Sequence, residues 1–144
     1  AHRGRDPYTL NHLAYLFAEE GIELPEAESL ILRALEQQPF SGVMQDTYGW
    51  VLYRSGRHEE ALVALEVAVR YAPREPEILA HLGEVRARLG QRDAARARYE
   101  EALEAVKQTE PVHRKVATSV AEALRALDAP AQANPQEQDE EKRR

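Results

Sequence analysis

One stretch of this chain occurs twice, and the two copies are offset by a constant 34 residues. Each copy has a large apolar residue, Gly, Gly, Ala, a large apolar residue and Ala in that order. The copies are Tyr48, Gly49, Gly56, Ala61, Leu65 and Ala68, then Leu82, Gly83, Gly90, Ala95, Tyr99 and Ala102. A fixed period of about 34 residues is typical of helical repeat arrays, whose units bury each other's apolar faces. The pattern therefore predicts stacked helical hairpins, an architecture that more often binds proteins than catalyses reactions.

Helical periodicity marks two helices in each unit. In the second unit, Met44 and Tyr48 belong to an apolar stripe that runs up to Gly56, a residue type that commonly ends helices. The next helix is expected to end at Pro73. The first unit repeats this pattern with one extra residue in its turn, at 22–25, so that it spans 35 residues.

A last helix follows the third unit without a partner helix. Its apolar stripe is formed by Val112, Val116, Val120, Leu124 and Leu127. Beyond it the chain becomes almost wholly polar and buries too little apolar area to offset the entropy of ordering, so we expect disorder. The expected organisation is a lead-in (1–6), three repeats (7–41, 42–75 and 76–109), a terminal capping helix (110–127) and a disordered tail (128–144).

Composition restricts the classes of function. The formal net charge of −6, with arginines interleaved among glutamates, argues against nucleic-acid binding, which normally requires a basic surface. The absence of cysteine excludes disulfides and thiolate metal sites but leaves the cellular compartment open. The sequence contains no apolar run of membrane-spanning length and no recognisable signal peptide. Because it begins at Ala1 without Met, we expect a processed protein or a fragment of a longer one.

The repeated residues resemble the tetratricopeptide repeat family over about 120 residues. The second unit matches its signature with Gly49, Gly56, Ala61, Leu65, Ala68 and Pro73, and the first with Ala14, Gly21, Ala27, Ile31, Ala34 and Pro39. The third unit has Lys107 in place of the proline. The resemblance implies an all-α, right-handed solenoid of three hairpins and a capping helix. Gln45 and Arg86 stand at positions that are usually apolar, and we expect Met44 and Val85 to supply that packing.

A narrower resemblance concerns origin. The segments LNHLAYLFAEEGIELPEAESLILRAL and DTYGWVLYRSGRHEEAL are similar to the C-terminal repeats of long bacterial tetratricopeptide proteins. Some of those proteins are outer-membrane-anchored lipoproteins that serve envelope assembly or proteolysis. The resemblance implies a bacterial protein of the periplasm, the envelope or the cytoplasm.

The family resemblance also implies where a ligand would bind, since the first helix of each pair lines a concave groove. The corresponding positions are Asn11, Tyr15, Glu19, Asp46, Trp50, Tyr53, Arg54, Glu77, Glu84, Arg88, Arg114 and Thr118. Trp50 falls off the apolar stripe of its helix, so we expect it to be exposed or to face the groove. Tyr15 is flanked by apolar residues and fits the groove and the core equally. Arg54 and the other arginines could bind carboxylates or backbone carbonyls of a ligand, or pair with nearby glutamates.

The predicted function is protein–protein binding by a scaffold or adaptor that holds a peptide or helix of an unidentified partner. One alternative is self-association through the uncovered face of the first repeat. Another is that this region stabilises the end of a longer array whose ligand lies elsewhere. The family's clamp for C-terminal carboxylates is not expected, because Trp50 and Glu84 stand at the later positions equivalent to Asn11.

Catalysis, metals and cofactors are not predicted. His58 is followed by two glutamates, as in zinc-binding helices, but Leu62 occupies the position of the second ligand. His81 and Glu84 lie one helical turn apart and fit either a partial metal site or an ordinary polar face. The sequence has no phosphate-binding glycine loop and no serine in a nucleophile elbow, so none of the common catalytic arrangements is met.

Overall fold

The computed structural model describes residues 5–109 and 113–129, which form seven α-helices and no strand. The helices are α1 (Pro7–Glu20), α2 (Leu24–Gln37), α3 (Gly42–Arg54), α4 (His58–Tyr71), α5 (Pro76–Arg88), α6 (Arg92–Lys107) and α7 (Arg114–Asp128). The first six pair as hairpins, α1 with α2, α3 with α4 and α5 with α6, and α7 packs on α6 and α5. This confirms the all-α solenoid of three hairpins and a terminal helix. Among the described helices, none is long and apolar enough to cross a membrane.

Side-chain caps fix the start of the first helix in two of the hairpins. The Asp6 carboxylate accepts hydrogen bonds from the backbone N–H groups of Tyr8 and Thr9, each at 3.0 Å, at the start of α1. The Ser41 hydroxyl accepts one from the backbone N–H of Met44 at 3.2 Å, at the start of α3. Such caps satisfy N–H groups that have no partner inside the helix, so both helices begin where the sequence supplies the capping residue.

The turn inside each hairpin needs a residue in the left-handed region. Gly21, Gly56 and Gly90 supply it in the first, second and third hairpins, with φ of 67°, 82° and 79°. In the first hairpin the inserted residue leaves Glu23 left-handed as well, with φ of 49°. This conformation costs a residue with a side chain about 1 kcal/mol or more. The one-residue insertion therefore stores strain in the first turn.

Two glycines allow the helices of a hairpin to approach closely. A Cβ atom added to Gly49 would lie 2.7 Å from Cγ of Leu65, and one added to Gly83 would lie 2.6 Å from the ring of Tyr99. Both distances are shorter than carbon atoms tolerate. The pairing of a glycine with a large apolar residue, which the repeat pattern shows twice, is therefore one packing contact formed in two successive hairpins.

The core consists of three apolar clusters that follow one another along the stack. They are centred on Leu10, Ile31 and Val51, on Leu52, Leu65 and Val85, and on Leu79, Tyr99 and Val120. Each cluster draws residues from neighbouring hairpins, so no hairpin buries its apolar face alone. Met44 and Val85 are buried as expected, beside Gln45 and Arg86 at the unusual polar positions.

The seventh helix closes the third cluster. Val120 of this helix is buried in the third cluster, and Leu124 is partly buried against that cluster. The predicted boundary at residue 127 is one residue too early, because Asp128 belongs to α7 and its carboxylate pairs with Arg96 of α6. Val112, which we expected in the apolar stripe of this helix, lies outside the described residues. So does the chain from residue 130 onwards, which belongs to the tail that we predicted to be disordered.

Candidate protein-binding groove

The first helices α1, α3 and α5 lie side by side and, with α7, enclose an open groove of about 670 Å³. Its lining includes Tyr15 and Glu19 of α1, Trp50 of α3, Glu77, Ala80, His81 and Glu84 of α5, Tyr99 of α6, and Lys115, Val116, Ser119, Val120, Glu122, Ala123 and Ala126 of α7. The groove thus brings together five residues singled out in the sequence: Tyr15, Glu19, Trp50, Glu77 and Glu84. We call this surface the concave groove.

Trp50 forms the floor of the concave groove and is largely covered. Its side chain is only 7% exposed, and its indole N–H donates a hydrogen bond to Oε1 of Glu19 at 2.8 Å. The indole stacks with the ring of His81, at a centroid distance of 4.1 Å, and with that of Tyr53, at 5.0 Å. Trp50 therefore faces the groove, but it is not exposed, because rings from its own helix and from α5 cover it.

His81 joins α5 to α3 through a second buried contact. Its Nδ1 lies 2.8 Å from Oδ1 of Asp46, and the two side chains are only 12% and 6% exposed. Burial lowers the pKa of His81, but Asp46, by its charge and its hydrogen bond, together with Glu77 and Glu84, outweighs this effect and holds the pKa above its ordinary value. The interpretation of His81 as part of an ordinary polar face is therefore wrong. Asp46 is likewise turned into the interior, where it holds His81.

Tyr15 and Tyr53 are half-buried on either side of this floor. The ring centroid of Tyr15 lies 6.5 Å from that of His81, and the hydroxyl of Tyr53 donates a hydrogen bond to Oε1 of Glu84 at 3.4 Å. Burial raises the pKa of both phenols, and the charges of nearby carboxylates raise it further. Both tyrosines therefore stay protonated and can act as hydrogen-bond donors. Tyr15 packs on the first core cluster and also lines the groove, so it occupies both of its expected positions.

The three arginines considered as ligand contacts differ in their surroundings. Nε of Arg54 donates a hydrogen bond to the carbonyl oxygen of Ala18 at 2.9 Å, near the C-terminal end of α1. The same oxygen accepts a hydrogen bond from the backbone N–H of Gly21 at 3.1 Å, so Arg54 adds a second hydrogen bond and complements the negative end of the helix dipole. Arg88 and Arg114 are exposed, and Arg114 lines an adjoining cavity of about 700 Å³ beside α7. Arg54 thus holds two repeats together, whereas Arg88 and Arg114 project into solvent.

The other predicted contacts lie away from the floor. Asn11 is half-buried one turn before Tyr15, and its Oδ1 has no hydrogen-bond partner in the part of the chain that the structure describes. Thr118 is exposed on α7. Within residues 5–109 and 113–129, no three histidine or acidic side chains come together as metal ligands, including those around His81 and Glu84.

Sequence reasoning expected α7 to contribute Arg114 and Thr118 to the groove but missed the residues of α7 that form its wall. Ser119, Glu122 and Ala126 follow one another at helical spacing and form one wall, opposite the side of α7 that carries Leu124 and Leu127. The sequence did contain a signal for this wall, since one face of the amphipathic terminal helix carries small and polar residues. It indicates that the helix both caps the core and extends the concave surface.

Comparison with known proteins agrees with this architecture. Residues 52–118 match the family model of the tetratricopeptide repeat. A TPR repeat-containing protein of Pseudomonas aeruginosa is 37% identical over 75 residues, which make up 52% of this chain and 12% of that protein. The chain therefore corresponds to only a small part of the curated relative that it matches.

Solved structures with the same fold include two proteins bound to peptide partners. PcrH of Pseudomonas aeruginosa, in complex with the chaperone binding region of PopD, has a TM-score of 0.72 at 20% identity, and the match covers 89% of this chain and 97% of PcrH. The type III secretion chaperone SycD of Yersinia enterocolitica, in complex with a peptide of the translocator YopD, has a TM-score of 0.72 at 17% identity, covering 84% of this chain and 91% of SycD. At these identities the likeness concerns the fold. Together with the repeat geometry, the family model shows that the chain contains tetratricopeptide repeats, matched at residues 52–118.

Proposed function

We propose that this chain is a binding module, a scaffold or adaptor that holds a segment of a partner protein in the concave groove. The observation that carries the proposal is an open groove of about 670 Å³ whose floor is fixed by contacts between repeats and whose rim is exposed. The floor is the stacked unit of Trp50, His81 and Tyr53, and the rim includes Glu84 and Ser119. Because the floor is already rigid, less conformational entropy is lost when a ligand binds.

The structural neighbours support the proposal without identifying a partner. PcrH and SycD were solved with a segment of PopD and a peptide of YopD, so proteins of this fold accept peptides. In this chain, we assign contact with the partner to the exposed rim and to the half-buried Tyr15 and Tyr53. Trp50 acts as a positioning residue, because little of its surface is available to a ligand. We also propose a bacterial origin, which the Pseudomonas relative favours.

Affinity capture with two matched variants tests this proposal. Ser119→Tyr adds a ring inside the groove, whereas Ser29→Tyr adds the same ring on the exposed side of α2. Partners recovered from a lysate of the source organism by the unchanged chain should be lost with Ser119→Tyr and kept with Ser29→Tyr. Both variants should keep the helical circular dichroism of the parent. Equal recovery by both variants would show that the groove is not the binding surface.

Self-association is the second candidate, and exposed apolar side chains on the first hairpin favour it. Tyr8, Leu16, Ile22 and Leu32 are all exposed on α1, α2 and the turn between them. An apolar surface of this kind often marks a contact between proteins. Sedimentation velocity over a range of concentrations tests this candidate. A dimer that dissociates in Leu16→Glu but not in Val63→Glu, at an exposed apolar residue of α4, would support it, and a monomer throughout would eliminate it.

A further inference from the structure

We propose that the segment held in the concave groove is cationic, with lysine or arginine side chains set among apolar ones. This inference rests on the proposed function of the groove and adds the chemistry of the partner. It follows from three features: the charges that line the groove, the absence of ion pairs at its glutamates in the described part of the chain, and the apolar side chains beside those glutamates.

Carboxylates dominate the charged lining of the groove. Glu19, Glu77, Glu84 and Glu122 line it, and Lys115 is the one lysine or arginine among its lining residues in the described part of the chain. The glutamates come from three helices that converge on one cavity, and the groove has an aromatic floor. The partly enclosed walls strengthen the attraction of a cation over that on an open surface.

Several cations outside the groove are paired with carboxylates, whereas the glutamates that line the groove are not. Five arginine or lysine side chains on other surfaces each bind a carboxylate, as Arg57 binds Glu28 at 2.8 Å. Across residues 5–109 and 113–129, none of the four groove glutamates forms an ion pair. The negative charge of the groove is therefore left for an external cation to neutralise.

Two of the glutamates are held in place by neutral donors. Glu19 accepts a hydrogen bond from the Trp50 indole at 2.8 Å, and Glu84 accepts one from the Tyr53 hydroxyl at 3.4 Å. These contacts orient the carboxylates but leave their charge uncompensated. A lysine or arginine entering the groove would meet oriented acceptors next to aromatic rings, which also attract cations.

Apolar side chains complete the requirement for an amphipathic segment. Ala80 lies between Glu77 and Glu84 on α5, and Val116, Ala123 and Ala126 line the groove on the same helix as Glu122. An acidic segment would place like charges together, and a purely apolar one would take the carboxylates out of water without a partner, which is costly. The cations nearest to the floor do not reverse this preference. His81 is paired with Asp46, Arg54 binds the Ala18 carbonyl, and Arg88 is exposed at the end of α5.

The test uses defined peptides and the full chain. The probe is an amphipathic helical peptide of about fourteen residues with lysines on one face and leucine and alanine on the other. Its counterpart has every lysine replaced by glutamate. Binding is followed by the indole N–H resonance and the fluorescence of Trp50, the only tryptophan, which forms the groove floor.

Matched variants distinguish the effect of the groove glutamates on binding from the effect of the net charge of the chain. The groove variant combines Glu77→Gln, Glu84→Gln and Glu122→Gln. The outer variant combines Glu36→Gln, Glu59→Gln and Glu100→Gln, three glutamates that are exposed on the second helices of the hairpins. Both proteins gain the same charge. We expect the lysine peptide to shift the Trp50 signals and to lose at least about tenfold in affinity with the groove variant, but less than about twofold with the outer variant. Higher salt should weaken the binding.

Three results would overturn the inference. Equal losses in both variants would mean attraction to the net negative charge alone. Equal or tighter binding of the glutamate peptide at the Trp50 resonance would refute the cationic preference while leaving the groove as a binding site. Absence of any Trp50 response to either peptide would count against the inference and, if capture by the unchanged chain is also insensitive to Ser119→Tyr, against the proposed function as well.

Discussion

The imidazole of His81 lies against the indole of Trp50, with ring centroids 4.1 Å apart and ring planes inclined by 18°. This stack joins α5 to α3, and the same imidazole binds Asp46 of α3 at 2.8 Å. A further bond from Trp50 to Glu19 extends the unit to α1. The floor of the groove therefore spans three repeats, and its shape depends on how the repeats stack.

Replacing Trp50 by Ala should destabilise the protein by about 3–5 kcal/mol. The change removes a buried ring, its stacking with His81 and its hydrogen bond to Glu19. Urea unfolding followed by circular dichroism measures the loss. Tyr8→Ala removes a ring that is 68% exposed and should change the free energy of unfolding by less than about 0.5 kcal/mol. Similar effects of the two variants would show that Trp50 is not packed as described.

The contribution of His81 to stability should decrease as the pH rises. Because Asp46, Glu77 and Glu84 outweigh the effect of burial, the pKa of His81 is higher in the folded chain than its ordinary 6.5. The stabilisation by the protonated ring is therefore complete below about pH 6.5 and is lost as the pH rises through the higher folded value. His81→Gln should cost more at about pH 6 than at about pH 8, by on the order of 1 kcal/mol.

Urea unfolding at the two pH values measures this difference. The matched variant His12→Gln changes an exposed histidine of α1 and controls for the removal of a histidine as such. It should show no comparable pH dependence. A larger cost of His81→Gln at the higher pH would reverse the predicted sign and contradict the account of the His81–Asp46 pair.

Gly83→Ala should destabilise the protein by about 1–3 kcal/mol, although alanine is the better helix former. The added Cβ would lie 2.6 Å from the ring of Tyr99, so the two helices of the third hairpin must separate. Thermal unfolding compared with the unchanged chain measures the effect. A higher melting temperature would mean that helix propensity outweighs the clash and that the hairpin is less tightly packed than described.

Glu23→Gly should stabilise the protein by roughly 0.5 kcal/mol. It removes the left-handed strain of Glu23, whose φ is 49°, and this gain exceeds the added entropy of glycine in the unfolded chain. Glu20→Gly, at the last residue of α1, provides the contrast and should destabilise. Chemical unfolding of both variants and of the unchanged chain measures these changes in the free energy of unfolding. Destabilisation by Glu23→Gly would show that the turn is not strained.

The fold could be predicted because its determinants are local and periodic. Gly49 with Leu65, and Gly83 with Tyr99, repeat one contact at a spacing that the sequence displays directly. The one-residue insertion in the first turn was also visible in the sequence. Its consequence, a left-handed Glu23, required the backbone geometry.

The groove could be predicted only in part, because its floor depends on contacts between different repeats. Trp50 was placed towards the groove because it lies off the apolar stripe of its helix, but nothing on that helix indicated that His81 would cover it. The polar contacts of the floor join residues that are 31 or 35 positions apart in the sequence, close to the length of one repeat. A search for Asp and His at this spacing would have paired Asp46 with His81.

Site-specific photo-crosslinking tests directly whether a partner binds in the concave groove. A photoreactive phenylalanine analogue is placed at Ser119 inside the groove in one protein and at Ser29 on α2 in another, and each is irradiated with lysate of the source organism. Mass spectrometry then identifies the joined peptides. If the partner binds in the concave groove, a defined partner segment should be attached at position 119 and absent at position 29. Attachment of the same segment at position 29 alone, or equally at both positions, would contradict binding in the groove.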